Sequence, residues 1–378
     1  MRTQAKSPSG RIAPRVRPID RYELRADEAA ALRAAADRLV ASAPHPGPEP
    51  CLDQVVLLGH ELPWEIRQRF IDFKIGRSGV GGFVLAGIPL DDAALGPTPL
   101  QIPWQSESAE LRRVDAILLL LGSLLGDPFS HVGVQEGRLI LDICPLHGNE
   151  ETQLASSSSG GLAWHNEDAY HDFRADWLLL MCLRNPQAAA TSFARIRDVP
   201  VDARGSDVLF RHEFLISPDS SHSVDANELG LKTISVLSGD RESPFVRIDP
   251  AFMSRDLANA DAGKALAALI DAFDENLQDV VLEAGEVLVI DNLRAVHGRR
   301  PFEARYDGHD RWLRSVNITA DLRKSEGCRT GPQGRALLPE SVRSGTGRVA
   351  GGPAGMRGRV PQSLEPHDAV VHDLVAEH

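Results

Sequence analysis

Trp164-His165-Asn166-Glu167 lies near the middle of the 378-residue chain and carries its strongest chemical signal. Successive side chains of an extended strand point to opposite faces, so His165 and Glu167 point to the same face. One imidazole and one carboxylate can bind a metal ion, but they do not fill a transition-metal site. A further ligand must therefore come from elsewhere in the chain.

The best candidate for this ligand is His297, which follows the apolar run 287–290 and precedes Gly298. Two histidines and one carboxylate on one side of a metal leave the other coordination positions open, an arrangement typical of non-haem Fe(II) oxygenases. Because these three residues complete the set, we expect His171 and His212 to be structural or exposed rather than ligands.

The composition bounds the function. Hydrophobic residues make up 42% of the chain and charged residues 25%, which is ordinary for a globular protein. A formal net charge of −12 argues against a nucleic-acid or anionic-membrane partner, because such partners need a positive field. A small molecule is therefore the expected partner.

The cysteines and apolar runs bear on location. The four cysteines form no C-x-x-C pair, so neither a zinc knuckle nor a disulfide framework is indicated and a cytoplasmic location is expected. The longest apolar runs, 116–121 and 177–183, are too short to cross a bilayer, and no signal peptide is indicated.

Periodicity predicts helices followed by short strands. The predicted helices are 27–40, 63–74, 108–125 and 263–274. The predicted strands are 79–85, 139–143, 156–159, 161–167, 177–183, 280–282, 287–290 and 312–318. The run 177–183 is wholly apolar, which indicates a strand buried on both faces.

Composition also suggests the limits of the fold. Residues 1–20 are predicted to form a loose tail, and 21–325 a single domain. Within it, the polar and weakly periodic segment 201–243 is interpreted partly as an insert or lid. Residues 326–378, rich in Gly, Arg, Ser and Pro, are predicted to form a mobile tail.

Arg311, fourteen residues after His297, is a candidate for binding a co-substrate. An arginine on the strand after the second histidine can hold the far end of a dicarboxylate with two hydrogen bonds while the near end chelates iron. His165-x-Glu167, His297-Gly298 and Arg311 together resemble the clavaminate synthase-like Fe(II)/2-oxoglutarate dioxygenases. This family is related to taurine dioxygenase and includes amino-acid hydroxylases of antibiotic pathways. The matching stretches are 164–171, 183–186, 289–292, 297–299 and 310–313.

The resemblance implies an α+β fold with a double-stranded β-helix (jelly-roll) core and flanking N-terminal helices. It implies Fe(II) bound by His165, Glu167 and His297, with 2-oxoglutarate and O2 as the other reactants. Arg311 would hold the distal carboxylate of 2-oxoglutarate, helped by the hydroxyl of either Thr191 or Ser192.

The resemblance also implies an amino acid or amino-acid derivative as substrate. The candidate substrate contacts are Gln135, Glu167, Ser158, Asp249 and Ser315. Gln135 matches a position that contacts the substrate α-amine in relatives, or else it bonds a strand end. Ser158, in the serine run 156–159, can donate to a substrate carboxylate or cap a loop, and Asp249 lies where amino-acid hydroxylases keep acids for a basic side chain.

One departure concerns the substrate carboxylate. Relatives that bind a free amino acid often carry an arginine four residues after the first, where this chain has Ser315. A neutral hydroxyl does not replace a bidentate ion pair. Either Arg314 or another group takes over, or the carboxylate is masked in an amide, a peptide or a carrier-bound form. Free arginine is therefore disfavoured.

Three classes of function remain at this point. The favoured one is hydroxylation of an unactivated C–H bond, and the same residues also allow desaturation or cyclisation. A non-catalytic cupin-like metal sensor is a second class, which does not require a dicarboxylate clamp such as Arg311. A zinc hydrolase with Glu167 as its base is disfavoured, because Glu167 would already be a ligand.

Overall fold

The computed structural model of the chain describes residues 17–42, 52–77, 81–102, 108–200, 207–219 and 230–339. The predicted tails 1–20 and 326–378 therefore lie largely outside the described residues. The same holds for the start of the predicted strand 79–85 and for positions 201–206 and 220–229 of the predicted insert.

Six α-helices lie in the described part of the chain. They are α1 (Ala26–Ser42), α2 (Leu52–Glu61), α3 (Trp64–Lys74), α4 (Asp92–Leu95), α5 (Ala109–Ser123) and α6 (Ala260–Glu275). The four predicted helices are confirmed with small shifts at their ends. Ser108 caps α5 by accepting a hydrogen bond from the Leu111 amide. Among the helices that the sequence had not indicated is α2, which buries Leu52, Val55 and Leu58.

Sixteen β-strands lie in the described part of the chain. They are β1 (Asp20–Glu23), β2 (Gly82–Ala86), β3 (Asp127–His131), β4 (Ile140–Ile143), β5 (Leu162–His165), β6 (Trp177–Arg184), β7 (Thr191–Arg195), β8 (Phe214–Ile216), β9 (Lys232–Ile234), β10 (Leu237–Gly239), β11 (Pro244–Val246), β12 (Gln278–Val280), β13 (Val287–Asp291), β14 (Ala295–Arg299), β15 (Trp312–Thr319) and β16 (Ala336–Leu337).

Two sheets face each other. The major sheet has the order β1-β2-β13-β6-β15-β3-β16, with β4 also paired to β15, and the minor sheet has the order β12-β7-β14-β5. Side chains from both sheets, among them Phe193, Leu288 and Leu313, pack between them. This arrangement fits the predicted double-stranded β-helix.

The outer face of each sheet is covered as well. Alternate residues of β6 explain its apolar sequence, because Leu178 and Leu180 point between the sheets while Leu179 and Met181 pack with the helices. On the minor sheet, α6 and residues from 207–253 form a separate apolar cluster that includes Trp164. None of the described helices is both long and apolar enough to cross a membrane.

Three parts of the sequence interpretation differ from the structure. Residues 156–159 form turns and loop rather than a strand. In the predicted insert, Leu209 and Phe214 are fully buried, so its described part belongs to the core on the minor sheet. Past the predicted boundary at residue 325, β16 pairs with β3 and Leu337 is buried, so packed structure continues to residue 339.

Candidate metal centre and co-substrate cavity

The pairing of β5 with β14 brings the two predicted histidines together. These strands are antiparallel, and His297 lies directly opposite His165. Their ring centroids are 4.8 Å apart. Glu167 follows β5 by two residues, and its carboxylate still reaches the same point. The structure therefore gathers residues that are distant in sequence into one cluster.

The spacing of the three side chains suits a metal ion. Glu167 Oε2 lies 3.7 Å from His165 Nε2 and 3.4 Å from His297 Nε2, and all three ligand atoms lie within 4.8 Å of one another. Adjacent ligands about 2.1 Å from an ion are separated by about 3 Å at right angles. The donor set of two imidazoles and one carboxylate thus fits a divalent transition metal with open coordination positions.

A backbone carbonyl fixes which ring nitrogen of His165 is the hydrogen-bond donor. His165 Nδ1 lies 2.8 Å from the carbonyl oxygen of Ala163. Because a carbonyl only accepts, Nδ1 carries the proton in this bond and leaves Nε2 directed at Glu167. Such an outer contact fixes both the tautomer and the ring orientation of a metal-binding histidine.

The charges of the cluster are strongly coupled. Burial opposes the protonation of His165, but its contacts with Glu167 and the charge of Asp249 outweigh it and raise the pKa of His165 to about 9. Burial also disfavours the Glu167 carboxylate, yet bonds from both histidines lower the pKa of Glu167 to about 2. Burial lowers the pKa of His297. The two shifts together favour a protonated His165 beside an ionised Glu167.

Two buried asparagines hold the backbone of this cluster. The side chain of Asn166 donates to the carbonyls of Asn292 and Ala295 and accepts from the amide of Ile248. Asn292 accepts from the Glu167 amide at 2.8 Å and donates to the carbonyls of Glu167 and Ala175. Both asparagines are fully buried. They replace the ladder hydrogen bonds that the chain loses where β5 ends.

Gly298 permits the close approach of β14 to β5. A Cβ atom at Gly298 would lie 2.6 Å from the carbonyl oxygen of Leu162 and 2.9 Å from both Ser192 Oγ and Trp164 Cα. Backbone atoms cannot yield as a flexible side chain can. The glycine next to His297 is therefore a requirement of the strand pairing that aligns the two histidines.

A cavity opens between the sheets above the cluster, and one end of it is cationic. Arg311 immediately precedes β15, is 5% exposed, and donates from Nη2 to Thr191 Oγ1 at 3.4 Å. Burial lowers the pKa of Arg311 to about 10. Of the two predicted hydroxyls, Thr191 lines the cavity, whereas Ser192 points to the opposite face beside Gly298.

The other predicted contacts divide into those that line the cavity and those that do not. Gln135, Asp249 and Ser315 line it, but Ser158 does not. The amide of Gln135 is bonded to both backbone groups of Asp142, at 2.9 and 3.0 Å. Burial raises the pKa of Asp249 to about 6, against the charge of His165.

Arg314 does not reach the cavity. It is 1% exposed and forms ion pairs with Asp115 at 2.5 Å and Asp142 at 3.1 Å, on the face of β15 opposite Ser315. The suggestion that Arg314 substitutes for the missing arginine is therefore wrong. Consecutive residues of a strand point in opposite directions, and Arg314 is used to bind β15 to α5 and β4.

His171 and His212 lie outside the ligand cluster, as expected. His212 is exposed, and His171 is buried with its ring centroid 4.6 Å from that of His131. His131 Nε2 lies 3.2 Å from Asp168, next to Glu167, and both line the cavity.

Three buried positions at the site were not predicted from the sequence. Asn166 and Asn292 lie in stretches that match the family, but the sequence does not show the contacts of their side chains with distant backbone. Arg299, which the motif 297–299 contains, is 5% exposed and lines the cavity. A charged residue two positions from a ligand on a buried strand was the available signal, because buried charges are rare without a partner.

The model of the taurine catabolism dioxygenase TauD, TfdA family matches residues 138–317. The enduracididine beta-hydroxylase of Streptomyces hygroscopicus is 36% identical over 305 residues, which cover 74% of this chain and 89% of that protein. The L-ornithine/L-arginine 3-hydroxylase of Catenulispora acidiphila is 36% identical over 315 residues, covering 77% of this chain and 91% of that protein.

Solved structures of non-heme iron oxygenases are similar to this chain in fold and sequence. The non-heme iron oxygenase OrfP in complex with Fe, succinate and (3S)-hydroxy-L-Arg has 34% sequence identity and a TM-score of 0.78, and the match covers 84% of this chain and 99% of OrfP. The predicted fold class is thereby confirmed.

Proposed function

The chain belongs to the taurine catabolism dioxygenase TauD, TfdA family, and we propose that it hydroxylates an amino acid with a basic side chain or a derivative of one. It is an Fe(II)- and 2-oxoglutarate-dependent dioxygenase that uses O2. The observation that carries the proposal is the charge of the cavity lining, which combines the guanidinium groups of Arg299 and Arg311, the ligand cluster and the carboxylates of Asp219 and Asp249.

The metal and co-substrate are assigned to residues by their chemistry. We propose that His165, Glu167 and His297 bind Fe(II), because their ligand atoms lie within 4.8 Å of one another. Arg311 would bind the distal carboxylate of 2-oxoglutarate, with Thr191 at its side. The buried Arg311 Nε, which has no hydrogen-bond partner among the described residues, supports this assignment.

When bound, iron couples the oxidative decarboxylation of 2-oxoglutarate with O2 to the removal of hydrogen from an unactivated carbon and its replacement by hydroxyl. The protein's contribution is to position that carbon and to exclude water. Arg311 fixes the keto acid from its far end, and Leu178, Leu180 and Leu313 form apolar cavity wall. Hydroxylation, rather than desaturation or cyclisation, is the outcome that the named relatives favour.

A basic substrate group fits the acidic end of the cavity. Asp249 is 8% exposed and Asp219 also lines the cavity. Asp219 contributes to the raised pKa of Asp249, after burial as the main cause. A bound ammonium or guanidinium group relieves both effects. Two relatives whose names specify ornithine or arginine and enduracididine agree with this assignment.

The substrate carboxylate is proposed to be masked or bound through neutral groups. The arginines that line the cavity in the described part of the chain are Arg299 and Arg311, both at the co-substrate end, and Ser315 offers only a hydroxyl. Amidated, peptide-like and carrier-bound substrates thus remain alternatives to the free amino acid. We also propose a cytoplasmic location, because Cys144, Cys182 and Cys328 are free thiols.

The first test is a substrate screen by mass spectrometry. Basic amino acids, their amides and carrier-bound aminoacyl groups are incubated with enzyme, Fe(II), 2-oxoglutarate and O2. We expect a mass gain of one oxygen for a basic substrate only. His165→Ala, Glu167→Ala and His297→Ala should abolish both the product and tight Fe(II) binding, and any of them that retained both would remove that residue from the ligand set.

A second test compares kcat/KM for one amino acid in its free and amidated forms. The masked form should be preferred by the wild type, because no guanidinium offsets the desolvation of a free carboxylate. Ser315→Arg should shift the preference toward the free acid by up to about tenfold. A clear wild-type preference for the free acid would eliminate the masked-carboxylate idea.

A further inference from the structure

Arg299 is a second buried guanidinium at the co-substrate end of the cavity. It lies two residues beyond His297 on β14, so both side chains point to the same face. Its partner across the pairing with β7 is Thr191. The hydroxyl of Thr191 also accepts from Arg311 at 3.4 Å. Thr191 thus lies between the two arginines.

The contacts of Arg299 are all with uncharged groups. Its Nη2 donates to Ser157 Oγ at 2.9 Å and to the Ser158 carbonyl at 3.4 Å, and its Nη1 donates to the Ser157 carbonyl. The ring of Phe302 lies 5.0 Å from the guanidinium carbon. The Nε atoms of Arg299 and Arg311 are both buried and have no hydrogen-bond partner among the described residues.

Two neighbouring buried cations destabilise each other. Arg299 and Arg311 are each 5% exposed, and Thr191 is paired with the first and bonded to the second. No carboxylate of the described residues forms an ion pair with either guanidinium. Buried charges in folded proteins are normally paired, because an unpaired one costs several kcal/mol or more. A bound anion would supply the missing counter-charge.

We propose that Arg299 is a second determinant of co-substrate choice, which adds positive charge beside Arg311 and so selects a 2-oxo acid that carries a second carboxylate. The inference rests on the proposed role of Arg311. Arg299 also holds Ser157 and Ser158, in the loop that leads into β5. The experiment must therefore separate the effect of its charge from an effect on that loop.

The test uses calorimetric titration of the Zn(II)-loaded protein, in which no turnover occurs. The two ligands are 2-oxoglutarate and 2-oxopentanoate, which has a methyl group where 2-oxoglutarate has its distal carboxylate. Arg299→Gln should weaken 2-oxoglutarate binding about tenfold and leave 2-oxopentanoate binding unchanged. An equal loss for both ligands, or no loss for either, would overturn the proposal.

Ser157→Ala is the matched control, since it removes a loop contact of Arg299 but keeps both charges. It should leave the preference for 2-oxoglutarate at the wild-type value, and a loss as large as that of Arg299→Gln would assign the effect to the loop and overturn the proposal. If Arg299→Gln does not fold, Arg299→Lys decides. It keeps the charge without Nε, so it should retain most of the preference, and complete loss would contradict a role for charge. A wild type with no preference between the two keto acids would instead refute the proposed function.

Discussion

Asn292 offers the sharpest test of how the metal cluster is held. We expect Asn292→Ala to weaken Fe(II) binding although Asn292 is not a proposed ligand. Its side chain accepts from the Glu167 amide at 2.8 Å and donates to the carbonyls of Glu167 and Ala175 at 3.0 and 2.9 Å. Two of these bonds fix the backbone of Glu167 itself.

The magnitude follows from the groups left behind. Each buried backbone group that loses its partner costs about 1 to 3 kcal/mol, so three of them should lower the free energy of unfolding by about 3 to 5 kcal/mol after partial relaxation. Loss of an outer contact to a metal ligand lowers metal affinity by about tenfold to a hundredfold. We expect a decrease of that size in Fe(II) affinity.

The assay pairs urea denaturation of the metal-free protein with anaerobic Fe(II) titration. Asn276→Ala is the matched control, because Asn276 is also a buried asparagine whose side chain donates to a backbone carbonyl, that of Ala272 at 2.8 Å at the end of α6. It should lose about 1 kcal/mol of stability and no Fe(II) affinity. If Asn292→Ala lost stability as expected but bound Fe(II) like the wild type, the cluster would not depend on this scaffold.

The other predictions concern charge, spacing and pH. Arg311→Met should weaken 2-oxoglutarate binding, measured by calorimetry, by about tenfold to a hundredfold. Because the substitution removes an unpaired buried cation, urea denaturation should show an unfolding free energy of the ligand-free protein that is unchanged or higher. Lower stability with unchanged binding would contradict this. Gly298→Ala should cost about 1 to 3 kcal/mol and reduce metal affinity, since its Cβ meets backbone; wild-type metal affinity in a titration would show that the strands can separate without moving the histidines. A histidine whose pKa is higher in the folded than in the unfolded protein stabilises the fold while it is protonated. In the metal-free protein, the contribution of His165 to the free energy of unfolding should therefore be full below about pH 6.5 and disappear as pH rises through about 9. Over the same window Fe(II) affinity should rise about tenfold per pH unit, because binding displaces the His165 proton; an affinity independent of pH would contradict the coupling.

The sequence predicted the features that are periodic or local. The spacing and apolar character of the sequence predict the helix 108–125 and the strand 177–183. The two-residue spacing of His165 and Glu167, together with the later His297, predicts the cluster. The described residues of 207–219 and 230–253 could not be predicted in this way. The strands there are three residues long, and their burial depends on α6 and on the outer face of the minor sheet. So short a strand carries too little periodicity to identify its buried face.

Residues that depend on strand register were also beyond the sequence. Thr191 and Ser192 are adjacent hydroxyl residues, and only the pairing of Ser192 with Gly298 and of Thr191 with Arg299 decides which one faces the cavity. Register is a tertiary property, because a shift by one residue exchanges the two faces of a strand. The sequence could therefore name two candidates but could not choose between them.

The same alternation governs the charge of the cavity. Arg311 and Ser315, four residues apart, share the inner face of the sheet, whereas Arg314 lies on the outer face in ion pairs with Asp115 and Asp142. Arg314, the arginine next to Ser315 in sequence, therefore binds α5 and β4 to β15. In the described cavity wall, the arginines are Arg299 and Arg311, which are proposed to face the keto acid, and the acids Asp219 and Asp249 are proposed to face the substrate. On this proposal an anionic substrate would meet repulsion from these acids, whereas a cationic one would gain from each contact, so the polarity that would bind 2-oxoglutarate at one end would also favour a basic substrate at the other.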